Sequence, residues 1–279
     1  MASLIYYELV KTFRKLRTYI GFLVILVLVP LIYWGFSLGG DNWVDNMTRG
    51  LQNDFLFVGS LFNGWLVSNM IMRSLFVHIP FLIVLVAGDV FAGEATGGTF
   101  RMLMTRPPSR LKLFTAKVIS TMIYVVVFIA FMGIVTVSLG LIWFGGGDLF
   151  SFSPEGISII SADDVWWRFV VGYGLAAWAM CTIAALGYML STIVENAIGP
   201  IIGAMAVVIV SLIISNVPID AFEAIKPYLF TTYMDSWMDA FTQPVDWKHA
   251  LEQSGILALY FMGFTATAWI IFSRKDILS

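Results

Sequence analysis

Residues 118–144 read VISTMIYVVVFIAFMGIVTVSLGLIWF, 27 positions without one charged side chain. A helix needs about 20 predominantly apolar residues to cross ~30 Å of hydrocarbon, and this run exceeds that. Arg110, Lys112 and Lys117 precede it and Asp148 follows it. The whole chain shares its composition: of 279 residues, 59% are hydrophobic and only 12% charged. An ordinary soluble domain is roughly 45–50% apolar and about 25% charged. A soluble globule with half the usual charge could not clothe its surface, so the bulk of this chain faces lipid. That excludes a cytosolic enzyme, a secreted domain and a nucleic-acid binder relying on a basic surface. Two His and one Cys (Cys181) leave no disulfide framework and no zinc cluster.

Five more stretches reach spanning length, at about 19–38, 73–92, 169–190, 197–215 and 255–272. The segment 55–70, FLFVGSLFNGWLVSNM, carries Asn63, Ser68 and Asn69 and is read as amphipathic or partly buried, leading into the second span. Charge supports that choice, because short cytoplasmic loops are enriched in Lys and Arg. With six spans and both termini inside, 11 of the 16 basic residues fall on the cytoplasmic side and 13 of the 18 acids outside. A seventh span would place the basic 101–117 cluster outside. The expected fold is an all-α integral membrane protein with six transmembrane helices.

Ile5, Leu9, Phe13, Leu16 and Ile20 recur at i+3 or i+4, one face of a helix. Glu8, Lys11, Arg14 and Lys15 occupy other faces. Residues 1–18 are therefore expected to lie in the interface plane, cations among headgroups. The run that follows is too long for a signal peptide and has no Ala-x-Ala site at 36–40, so it reads as an uncleaved anchor. Trp34, Trp43, Trp143, Trp166, Trp167, Trp237 and Trp247 fall near the outer boundary, as an aromatic belt would. Gly172, Ala176, Ala177, Cys181 and Ala185 line the fourth span with small side chains, which suit close helix packing within the subunit or across a dimer.

The most informative loop follows the second span: AGDVFAGEATGGTFRMLMTRPPSRLKLFTAKV, residues 87–118. Gly97 and Gly98 interrupt a helix after Glu94, residues 99–105 suit a short helix, and Pro107 and Pro108 stop it. Ser109 then caps the third span. A plain connection would need only a few residues. Gly93, Glu94, Gly98, Thr99, Leu103, Pro107, Ser109, Arg110 and Lys117 fit the pattern Gly-Glu-x3-Gly-Thr-x3-Leu-x3-Pro-x-Ser-Arg-x6-Lys in register, with Arg101 and Arg106 as added basic positions. In this the chain resembles the permease subunits of the ABC-2 type transporter family. The resemblance extends to the N-terminal helix with Glu8, the six spans, the stretch 226–229 and the ending FSRKDI at 272–277.

The resemblance implies one ABC-2 type transmembrane domain over residues 1–279, with an amphipathic elbow helix at 1–18 and a cytoplasmic coupling segment at 93–117. In that family the coupling segment seats in a groove of a separate ATP-binding subunit, so Glu94, Gly98, Thr99, Arg101, Leu103, Arg106, Pro107 and Arg110 are the expected ATPase-coupling residues. The chain has no Gly-x4-Gly-Lys-Ser/Thr loop. It is then no enzyme on its own and binds no cofactor, ATP and Mg belonging to the partner. A second permease copy or a sister permease, the lipid bilayer and a bacterial cytoplasmic membrane complete the implied setting. The substrate would be exported or flipped. The alternative is a non-translocating permease that transmits ATPase motion to an envelope assembly or a metalloenzyme-maturation complex.

Ionisable residues inside a membrane are functional suspects, costing about 2.5–3.5 kcal/mol each at mid-bilayer. Arg73 is expected at the outer end of the second span, Asp89 one turn from its inner end, and His78 within it, as a structural or pathway group. The pair Glu195 and Asn196 forms a cytoplasmic turn or a minor ATPase contact. The outer loop 217–253 shows helix-period aromatics at Phe230, Tyr233, Trp237 and Phe241. It reads either as the re-entrant element of related permeases or as an interfacial helix.

Overall fold

The computed structural model describes residues 1–48, 62–96, 109–153 and 156–275. Within hydrocarbon every backbone N–H and C=O has to be satisfied inside its own segment, and the apolar runs accordingly fold as helices. In chain order these are α1 (Ala2–Arg14), α2 (Leu16–Thr48), α3 (Gly64–Phe76), α4 (Ile79–Ala87), α5 (Ala92–Thr96) and α6 (Arg110–Phe144). Next come α7 (Ala162–Ile193), α8 (Ile198–Asn216), α9 (Asp220–Glu223), two 3₁₀ segments (Lys226–Tyr228 and Phe230–Phe241) and α10 (Trp247–Arg274). The stretch Leu16–Gly39 of α2, with α6, α7, α8 and α10, gives five helices long and apolar enough to cross a membrane. The pair α3 and α4 passes the same test only when taken together.

That pair corrects the expected second span. Its first helix begins at Gly64, so residues 64–70 belong to it, and of the two readings of that segment the buried one holds for residues 64–69. Asn63 caps α3 by accepting from Leu66 N–H (3.0 Å) and donates to the Asp148 carbonyl (2.7 Å). Gly64 rests directly on α6: a Cβ there would lie 2.3 Å from the Gly140 oxygen. The axis turns by 51° between α3 and α4. Pro80, in the first turn of α4, has no N–H to return to the preceding turn. His78 sits at this break, exposed, with Nδ1 3.0 Å from the Ser74 carbonyl. Arg73, nine residues into α3, lies ~13.5 Å along the helix at 1.5 Å per residue, not at its outer end.

Ser68 of α3 joins a buried line of hydroxyl groups from α2, α6 and α7. The Tyr33 hydroxyl of α2 donates to the Thr136 carbonyl of α6 (2.8 Å) and lies 2.9 Å from Ser68 Oγ. Thr136 Oγ1 is 2.6 Å from the Tyr173 hydroxyl of α7. All four residues are buried. Such interhelical hydrogen bonds average about 0.6 kcal/mol in a membrane, so they specify which faces meet more than they stabilise the bundle.

Helix α7 occupies the centre, packed by α4, α6, α8, α10 and the segment Phe230–Phe241. Its small residues Gly172, Ala176, Ala177, Cys181 and Ala185 are all buried within this chain, which is the packing-within-the-subunit reading. Between α6 and α7 the chain forms an antiparallel hairpin, β1 (Leu149–Ser153) and β2 (Gly156–Ile160), with Leu149 opposite Ile160 and both buried. An all-α expectation had no place for it.

The segment Phe230–Phe241 is not a helix lying on the surface. Trp237 and Phe241 are fully buried, Trp237 against Phe76 (ring centroids 5.3 Å) and Phe241 against Phe169 (5.0 Å). Phe241 fits because Gly172 has no side chain; a Cβ there would meet its ring at 2.8 Å. Arg168 fastens the far end by donating to the Thr242 (2.6 Å) and Ala240 (3.2 Å) carbonyls. Trp237 is therefore core rather than belt, and the Arg73 guanidinium lies 5.9 Å from its ring centroid. Trp34, Trp143, Trp166 and Trp247 are exposed, as anchors would be, whereas the Trp43 side chain lies outside the described residues.

Candidate functional site

The N-terminal helix, the start of α6 and the short α5 meet in a cluster of charges. The amphipathic reading of α1 put its apolar stripe in lipid; Phe13 of that stripe instead packs edge-on to Tyr124 of α6 (6.3 Å), while Leu16 and Ile20 stay exposed. Glu8 of α1 is buried. It accepts from Lys117 Nζ at 3.0 Å. Lys117 also donates to Glu94 (2.5 Å) and to the Val90 carbonyl (3.4 Å), and lies 5.7 Å from the Phe91 ring centroid. The Lys117 and Glu94 side chains are each 1% exposed. Glu94 is bonded in addition by Lys11 of α1.

A second ion pair group lies beside the first. Asp89 receives Lys15 (2.6 Å) and Arg17 (3.2 Å), residues that flank the extended break at Lys15 between α1 and α2. Gly93 packs closely here: a Cβ would sit 2.4 Å from Asp89 Oδ1, so the carboxylate would have to shift. Ser191 of α7 closes the site by accepting from the Phe91 (3.1 Å) and Ala92 (2.9 Å) N–H groups. Three carboxylates thus face four cations around one junction. Removing one member of a buried, hydrogen-bonded pair leaves its partner charged and dry, which costs far more than the pair itself contributes.

Burial pushes the Glu94 carboxyl up, but the Lys117 and Lys11 ammoniums outweigh it and hold the group below its ordinary value of 4.5. A depressed folded-state pKa means that this stability is complete above the unfolded value and is lost as pH falls through the folded one. Thermal unfolding of the detergent-purified chain from about pH 6 down to about pH 3 should therefore show an acid limb that is shallower in Glu94→Gln. Identical limbs would remove Glu94 from the acid response.

Of the residues singled out in the sequence, Glu8, Lys11, Lys15, Asp89 and Glu94 come together here. Glu94 faces inward, so it holds the base of the loop instead of projecting from it. Arg14 is exposed beside the cluster. Arg110 lies apart and donates to the Ser273 (2.7 Å) and Lys275 (3.2 Å) carbonyls at the end of α10. Arg73 lies in α3 and His78 at the break between α3 and α4, outside this cluster. Gly98, Thr99, Arg101, Leu103, Arg106 and Pro107 lie outside the described residues. Asn196 Oδ1 accepts from Ile198 N–H (3.0 Å), a turn contact. Arg17 and Ser191 were missed: no local pattern marks either, and only the tertiary fold brings Arg17 to Asp89 and Ser191 to the start of α5.

Fold and site together define a multi-pass helical membrane protein with a charged clasp between its N-terminal helix and the base of a loop. Residues 46–278 match the family model described as "Protein of unknown function (DUF2705)", and the chain belongs to that family. It is similar to the "Uncharacterized protein YhcI" of Bacillus subtilis (strain 168), at 26% identity over 212 residues. The match covers 70% of this chain and 63% of that relative, so the chain spans less than two thirds of the relative's length.

Proposed function

We propose that this chain is the permease subunit of an ABC-2 type transporter, working with separate ATP-binding subunits and a second permease to export or flip a substrate. The observation that carries this reading is the clasp. Glu94 and Lys117 stand near the two ends of the Gly93–Lys117 sequence pattern, and they meet at 2.5 Å inside the protein. The described residues on either side of the loop are thus fastened to each other at one point, to which α1 is bonded through Glu8 and Lys11. A partner pressing on such a loop moves α1, α5 and α6 as a body, the rigid-body coupling that ATP-driven closure needs.

On this reading α3 and α4 form one bent span, the spans number six, and both termini are cytoplasmic in a bacterial inner membrane. The basic residues of the 101–117 stretch then face the cytosol, in keeping with the loop rule. A reporter fused after Gly146 should be active only outside the cytoplasm, and cytoplasmic activity would overturn the orientation. The decisive experiment is affinity purification of the tagged full chain from its native membrane in mild detergent. An ATP-binding subunit should co-purify in stoichiometric amount, and Arg101→Glu should reduce its recovery about tenfold, equivalent to ~1.4 kcal/mol of docking energy. A preparation free of any ATP-binding protein would refute the proposal.

A further inference from the structure

Between α6 and α7 an apolar groove of about 520 Å³ opens on the side of the bundle. Its floor is formed by Trp65, Ile129, Gly133 and Tyr173. Trp166 and Ile134 stand at its rim, 61% and 66% exposed. Among the described residues that line it, none is charged. Because both walls are helices apolar enough to span a membrane, the groove opens to hydrocarbon rather than to water.

Length and volume narrow the occupant. The lining runs from Val126 to Ser138 on α6 and from Trp166 to Ala177 on α7. At 1.5 Å per residue that is roughly 16–18 Å, against ~15 Å for one leaflet's share of a ~30 Å hydrocarbon core. An apolar cavity of about 150 Å³ takes one benzene. At the same density, the 520 Å³ groove holds about 20 carbon atoms. That is the carbon count of one fatty chain. We propose that the groove binds a single acyl chain of a membrane lipid, in the leaflet on the side of the β1–β2 hairpin. Trp166 would stand at the headgroup end, where an indole has an apolar body in lipid and an N–H toward the polar layer. The proposal rests on the membrane-spanning fold alone and is independent of the transporter reading.

Gly174 lines the groove and has nothing within 4 Å of where a Cβ would stand, so Gly174→Phe fills it without disturbing the core. Gly263 of α10 is equally open but lies elsewhere, and Gly263→Phe is the control. The full chain, washed in detergent and supplied with phosphatidylglycerol, is measured by native mass spectrometry. Wild type and Gly263→Phe should retain one phospholipid per chain. Displacing even two methylenes corresponds to about a tenfold loss of affinity, so Gly174→Phe should lose at least that. Ala130→Phe, on the exposed α6 wall, is the second variant should Gly174→Phe misfold. A phosphatidylcholine with a diazirine in its acyl chain should label residues 126–138 and 166–177. Labelling spread evenly over α8 and α10, or equal retention in the filled and control variants, would overturn the proposal. So would efficient cross-linking of two chains through Ile134→Cys, which would show a second copy in the groove.

Discussion

Lys117→Met is expected to destabilise the protein by about 3–5 kcal/mol, the cost of leaving buried Glu8 without its cation and Glu94 with Lys11 alone. Lys117 is 1% exposed and stands 3.0 Å from Glu8 and 2.5 Å from Glu94, two carboxylates themselves shut away from water. Methionine matches the stem of lysine but supplies no donor. Glu94→Gln should cost less, because it removes a charge that Lys117 and Lys11 share while leaving Glu8 paired. The double variant should cost less than the sum of the two single variants, since the second change removes a buried carboxylate that has lost one of its two cations. Unfolding temperatures in a single detergent, taken as a double-mutant cycle, measure that coupling. Strict additivity would show that the two side chains do not bear on one another.

Gly64→Ala is expected to keep α3 from seating on α6. The added methyl carbon would lie 2.3 Å from the Gly140 oxygen and 2.8 Å from the Gly145 oxygen, both backbone atoms that cannot swing aside. Overpacking a core typically costs about 1–3 kcal/mol, and a backbone obstacle puts this substitution at or above the top of that range. The penalty overrides the advantage of about 1 kcal/mol that alanine has over glycine in a helix. Gly35→Ala of α2, with nothing within 4 Å, supplies the contrast and should be neutral or slightly stabilising. The yield of monodisperse protein and its unfolding temperature separate the two. A Gly64→Ala protein as stable as wild type would show that the helices do not touch there.

The helices that could be read from the sequence are those whose lipid-facing length alone defines them. Runs such as 118–144 and 197–215 are apolar enough that no partner need be known, and they reappear within α6 and α8. The half-span α3 was hidden because Asn63, Ser68 and Asn69 look like a segment seeking water. Their partners, Leu66 N–H and Asp148 for Asn63 and Tyr33 for Ser68, lie in other elements or appear only once the helix exists. The aromatic period at 230–241 was visible, but its insertion between α7 and α10 depends on Gly172 leaving room for Phe241. In the clasp, Glu94 and Lys117 were legible as members of one pattern, whereas Glu8 lies 109 positions from its cation. Proximity across such a distance is set by packing, and no spacing rule reaches it.

The first turns of α6 hold one further consequence. Lys117 receives Glu8 from one end of the described chain, and Arg110 grips the carbonyls of Ser273 and Lys275 at the other. These two side chains are seven residues apart, ~10 Å along the axis. The first and last described helices are therefore tethered to the same two turns of α6. Any pull transmitted along α6 displaces both.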